Sequence, residues 1–232
     1  MVKSLPKWMC LLVLALVLCA PAAVADTFTL TGVNPSGANL GGVYTGPYVA
    51  TINGVTGIQV ICDDFQTNTS LNQALTVTET KVSDLTGEAV NQVVKFNKDS
   101  ASNQQANYMT AAYLAIQLIG IDQSTAMGRL QGSLLNYAIW YLFYDKALDN
   151  LTPDQKTSAQ AYLSGAQTAT SSHGVGMYSQ VSIWTPTPNG ASQEFISVRV
   201  PEATVVEFLG FNALVLALVG LFLHRRGFRF AE

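Results

Sequence analysis

The residues of this chain that could do chemistry are few. Between two apolar ends lie one cysteine, Cys62, one histidine, His173, and the adjacent pair Asp63-Asp64. Cys10 and Cys19 both fall in the apolar first segment. Cys62 therefore has no partner for an intrachain disulfide, and it reads as a buried small hydrophobe, an intermolecular link or a reactive thiol. Clustered carboxylates suit Ca²⁺, but neighbours on a strand point to opposite faces, so Asp63 and Asp64 fit a turn or strand end better than one ion. A Cys62–His173 dyad would be the minimum for a hydrolase, and no further motif accompanies it. No ligand spacing builds a zinc site. The Gly41-Gly42 pair lacks the Lys and Ser or Thr of a phosphate loop. Tyr137, Trp140, Tyr141, Phe143 and Tyr144 make an aromatic-rich helix suited to core packing, with carbohydrate stacking as the alternative. No catalytic residue, metal or cofactor is expected, and the chain does not read as an enzyme.

These residues must be positioned by strands and helices whose periods differ along the chain. Thr27 to Leu30, Val43-Tyr44, Tyr48 to Ile52, Ile58 to Cys62 and Leu75 to Val82 alternate or run β-branched, as strands do. Turns are expected at Pro35-Ser36-Gly37 and Gly41-Gly42. Asn53-Gly54 is a two-residue hairpin signal, since both positions tolerate positive φ. The middle changes to helical spacing: Met109, Ala112, Tyr113 and Ile116, stopped by Gly120, then Met127, Leu130, Leu134, Ala138 and Leu142. Thr152-Pro153-Asp154-Gln155 starts a third helix, with Thr152 and Gln155 as a capping box. Val181 to Trp184 and Phe195 to Val200 read as closing strands around a Pro186–Gly190 turn. The order predicts an α+β domain over residues 26–199: a β-sandwich or barrel-like sheet with a helical insertion at about 104–170. The first and last strands are expected to pair, which would place whatever follows at one sheet edge.

The ends carry addresses. Lys3 and Lys7 precede an apolar run from Leu11 to Ala20, and Ala23-Val24-Ala25 is a small-x-small site. That order is a signal peptide over residues 1–25, leaving Asp26 first. Near the other end, residues 203–223 are apolar but for Glu207 and Asn212, and Arg225, Arg226 and Arg229 follow. Roughly 20 apolar residues span a bilayer core, and a basic cluster after them is a stop signal that stays cytoplasmic. The chain has a net charge of −3, with 12% charged and 49% hydrophobic residues. No basic run interleaves with aromatics, so nucleic acid is not an expected partner.

Val200-Pro201-Glu202, the apolar run and the arginines together resemble the PEP-CTERM sorting signal, with Ala203 where that family has its second proline. The resemblance implies export, a single-pass anchor over residues 200–232, and processing by exosortase after signal peptidase, with delivery to the cell surface or extracellular matrix. The pieces GVYTGPY, ICDDF, AAYL, NYAIWYLF and QEFI resemble one group of PEP-CTERM surface proteins. The body is also similar to thioester domains of bacterial surface adhesins. Its matching residues are Ile61-Cys62 and Asn136-x-Ala138-Ile139-Trp140, with Asn136 where that family has glutamine. That resemblance implies a thiolate condensing with a side-chain amide, loss of ammonia, and covalent adhesion to amines. The expected function is a surface or matrix protein of structural or adhesive type, with a surface polysaccharide or matrix as partner. The alternatives are a covalent adhesin through Cys62 and an envelope hydrolase.

Overall fold

A computed structural model describes residues 25–33, 38–85, 94–96 and 101–199. The expected turn at Pro35-Ser36-Gly37, the expected signal peptide through Val24 (Ala23 included), the expected sorting motif Val200-Pro201-Glu202, the apolar run 203–223 and Arg225, Arg226 and Arg229 lie outside the described residues.

Eight strands form in chain order: β1 (Asp26–Gly32), β2 (Asn39–Leu40), β3 (Val43–Tyr44), β4 (Tyr48–Ile52), β5 (Val55–Cys62), β6 (Ala74–Lys81), β7 (Val181–Pro186) and β8 (Phe195–Val198). Between β6 and β7 come helices α1 (Ala101–Ile119), α2 (Ala126–Phe143) and α3 (Pro153–Thr170). Six strands close into an antiparallel barrel in the order β1-β4-β5-β8-β7-β6, with β6 returning to β1. β2 and β3 form a small separate ribbon.

The expectation that the first and last strands pair is overturned. β1 lies between β4 and β6, and β8 between β5 and β7. Closure gives each of the six barrel strands two neighbours and leaves the barrel no free edge, so neither β1 nor β8 is an edge strand. Asn53 and Gly54 both have positive φ, 50° and 80°, as the β4–β5 hairpin requires.

Alternation along the strands divides two cores. Phe28, Leu30, Ala50, Val60, Cys62, Val77, Trp184 and Phe195 fill the barrel, where the Phe28 and Phe195 rings stack at 4.8 Å. Ile61, Ile183 and Ile196, one residue out of phase, face the helices and pack with Tyr108, Ala112, Leu135 and Ile139. Strand β7 is buried along its whole length because both of its faces are covered. A third cluster, with Tyr137, Trp140, Leu148 and Leu151, packs α2 against the turn that follows it and Ala159 of α3.

Each helix has a local cause. α1 stops at Gly120, whose N–H reaches the Ile116 and Gln117 carbonyls. α2 starts at Thr125, whose side chain accepts from Gly128 N–H. The predicted capping box of Thr152 and Gln155 opens α3. The predicted stripe on α2 is displaced at its start. Met127 and Leu130 are exposed, while Gly128 and the run from Gly132 to Trp140 are buried. Gly128 and Gly132 are buried because the preceding loop crosses there: a Cβ on Gly128 would meet the Asp122 carbonyl at 1.9 Å. Among the described residues, no helix is long and apolar enough to cross a membrane.

Candidate functional site

The end of β5 is where the sequence-predicted residues gather. Cys62 is its last residue and points into the barrel, fully buried. Burial pushes the Cys62 thiol well above its ordinary pKa, and the charges of Asp63 and Asp64 push the same way. The protonated thiol donates to the Asp64 carbonyl at 3.1 Å. From α2, the Asn136 side chain reaches the same place but engages the main chain. Its Nδ2 donates to the Cys62 carbonyl at 3.0 Å, and its Oδ1 accepts from Gly46 N–H at 2.7 Å. Asn136 thus splices the end of β5 to the loop before β4 (Gly46-Pro47) across the helix. Ser133, one turn earlier on α2, adds a 2.7 Å hydroxyl pair with Thr45.

Trp140 is buried one turn beyond Asn136, against Phe65 and Tyr137. Its indole N–H makes no hydrogen bond of acceptable geometry. The ring stands close enough to the Cys62 sulfur to favour the thiolate and oppose part of the rise. Asp26, expected to be the first residue after signal cleavage, opens β1, and its carboxylate accepts from Asn53 at 2.8 Å. Ala25 is exposed beside it. His173 lies away from Cys62 with its Nδ1 2.7 Å from the Tyr178 hydroxyl, beside Tyr113.

Both aspartates after Cys62 are fully buried, with separate partners. Asp64 closes a turn: its Oδ1 accepts from Gln66 and Thr67 N–H at 3.0 and 3.3 Å, and its Oδ2 takes the Lys95 ammonium. Lys95 also donates to Thr67 Oγ1 and the Ser192 carbonyl, at 2.7 and 3.0 Å. Three acceptors satisfy all three ammonium hydrogens. Asp63 turns to the helix face of the barrel, in phase with Ile61. There it meets Glu194, which the sequence reading did not single out.

The β5–β8 register pairs Cys62 with Phe195, and the β7–β8 register pairs Trp184 with Phe195. One step along, Asp63, Glu194 and Thr185 form a row across three chain segments. Asp63 N–H donates to the Glu194 carbonyl at 3.4 Å. Glu194 accepts from Tyr108 of α1 at 2.5 Å, from Lys95 N–H at 2.9 Å and from the Thr185 hydroxyl. Burial raises the pKa of both carboxyls, and for Asp63 the neighbouring Glu194 adds to the rise. Tyr108 is raised well above its usual value, by burial first and by Glu194 second.

Among the described residues, no three metal-binding side chains converge on one point. A groove of about 280 Å³ lies between β2 and the start of α2, lined by Ala38, Leu40, Arg129, Leu130 and Ser133. Its lining includes Leu130 of the sequence-predicted stripe but not Cys62, Asn136 or Trp140.

No family model and no curated protein matches the chain. Among solved structures, the N-terminal domain of the Streptococcus pyogenes pilus tip adhesin Cpa is similar at 13% identity and a TM-score of 0.44, over 78% of this chain and 98% of that one.

Proposed function

We propose that this chain is an exported, non-catalytic surface protein whose barrel-and-helix body serves a structural or adhesive role outside the cell. One observation carries the reading: an apolar run at 203–223, preceded by Val200-Pro201-Glu202 and closed by Arg225, Arg226 and Arg229. In that order the segment holds the body on the outer side of a membrane until exosortase cuts it near Pro201-Glu202. The positions of the first and last described strands support the same reading. β1 starts at Asp26, the residue that signal peptidase would leave first, and β8 ends at Val198, two residues before the sorting motif. The body's functional groups are engaged in architecture: Cys62 bonds the turn that follows it, and Asn136, Asp64 and Lys95 each hold one chain segment to another. A rigid closed barrel, delivered to the surface and then released or transferred, suits attachment to a polysaccharide or matrix.

The test is fractionation of cells with and without exosortase, followed by mass mapping of the C-terminus. The expected result is a surface or extracellular product ending near Pro201-Glu202, and membrane-retained full-length chain when exosortase is missing. An identical C-terminus in both strains would refute sorting. Intact mass separates covalent adhesion from this reading, since a Cys62–Asn136 bond lowers the mass by one ammonia.

A further inference from the structure

The row formed by Asp63 and Glu194 contains an imbalance that protons must correct. Both side chains are fully buried and stand side by side across the β5–β8 register. Neither oxygen of Asp63 receives a hydrogen from any protein donor. Glu194 is the opposite case: Tyr108 supplies one of its oxygens, and Thr185 and the Lys95 N–H supply the other. Two ionised carboxylates in this position would be like charges directly opposed in a dry place. Two acceptor-only groups also cannot bond each other. A carboxylic acid on Asp63 resolves both problems, because its O–H donates to Glu194.

The charged and titratable groups around the pair are few. Asp64 is the next residue in the chain, with its charge matched by Lys95. Cys62 precedes Asp63 and stays a thiol. Tyr108 faces the pair from α1 and already donates. None of them offers Asp63 a second positive charge.

Val94, Lys95 and Phe96 form a strap over this row. The Val94 carbonyl accepts from Asn189, Lys95 N–H donates to Glu194, and Phe96 N–H donates to the Tyr108 hydroxyl at 3.3 Å. The Phe96 ring stacks on Phe143 of α2 at 4.5 Å. The strap is therefore held through the two groups, Glu194 and Tyr108, that share the buried charge.

We infer that Asp63 and Glu194 are a buried proton-binding site, and that the proton held between them keeps the Val94–Phe96 strap closed over the barrel end. Losing that proton leaves two opposed negative charges, and lifting the strap is the shortest way to bring water to them. Folding strengthens the pair's hold on the proton, so the stabilisation is complete below the ordinary carboxyl range. It is lost as pH climbs toward the pair's raised folded value. The strap then opens more readily at each step toward alkaline pH, a response suited to a chain that meets external pH.

Two measurements on the full chain decide this. The first is infrared spectroscopy at neutral pH, where ordinary carboxyls are ionised. It should show a carboxylic-acid carbonyl band that Asp63→Asn removes. The second is hydrogen exchange at the Lys95 and Phe96 amides. Their protection should fall about tenfold per pH unit between mildly acidic and neutral pH. It should be flat with pH in Asp63→Asn, whose amide donates to Glu194 without titrating. A wild-type spectrum without the acid band, or an equal pH slope in Asp63→Asn, overturns the inference. If that variant does not fold, the wild-type spectrum alone decides.

Discussion

At the residue scale, Cys62 and Asn136 show how two reactive groups can meet and still serve architecture. A thiol nucleophile must first become a thiolate, and burial among Phe28, Val60 and Phe195 holds Cys62 in the neutral form. The native protein is therefore expected to resist thiol alkylation, with or without methylamine, and to react once on denaturation. Alkylation triggered by methylamine in the folded state would instead reveal an acyl-sulfur bond. The Asn136 amide has a donor on one side and an acceptor on the other, matched to Cys62 C=O and Gly46 N–H. Asn136→Ala strands both buried main-chain groups and should cost about 2–4 kcal/mol of unfolding free energy by denaturant titration. Asn136→Asp keeps the shape but sets an acceptor against the Cys62 carbonyl. It should also destabilise, and more so as pH rises and the carboxyl ionises.

At the element scale, the helices are fixed by short-range chemistry at their ends and long-range contact along their faces. Thr152→Ala removes one half of the capping box on α3 and should cost about 1 kcal/mol. Two glycine substitutions in helices should have opposite signs. Gly165 in α3 faces open space, so Gly165→Ala should stabilise by roughly 0.5–1 kcal/mol through backbone entropy alone. Gly128 in α2 is crossed by the Asp122 carbonyl, and Gly128→Ala should lower the melting temperature despite the same gain in propensity. Thermal unfolding of the two variants side by side checks both signs.

The same division explains what could be read from the sequence. The Asn53-Gly54 turn, the Gly120 stop and the Thr152 box have their causes within four residues, and each was legible. The buried start of α2 was not, because the loop at Asp122 and Gln123 sets it rather than the periodicity of Met127 and Leu130. The Asp63–Glu194 row was also hidden. Adjacent aspartates after a strand look like a turn, which is true of Asp64. The fate of Asp63 depends on Glu194, Thr185, Tyr108 and Lys95, all distant in sequence. The available clue was a carboxylate set directly against an apolar strand run, in Ile61-Cys62-Asp63 and again in Glu194-Phe195-Ile196.

At the scale of the whole molecule, closure of the barrel sets what the ends can do. In an open sheet, the last strand would present an unpaired edge to whatever follows it. Here β8 is flanked by β5 and β7, and β1 by β4 and β6, so the strands nearest both ends already have two partners each. Among the described residues, the barrel's strand pairing closes within Asp26–Val198. Residues 26–199 should therefore fold alone, appear in the soluble fraction when secreted, and unfold in one cooperative step. Deleting β8 as well, by ending the chain before Glu194, should abolish that folding. The cut opens the barrel between β5 and β7, removes Phe195 from beneath Phe28, and takes Glu194 from Tyr108, Thr185 and the strap. Circular dichroism and sedimentation of the two fragments compare them directly. A 26–199 fragment that stays with membranes or aggregates would mean that the body depends on the segment that follows it.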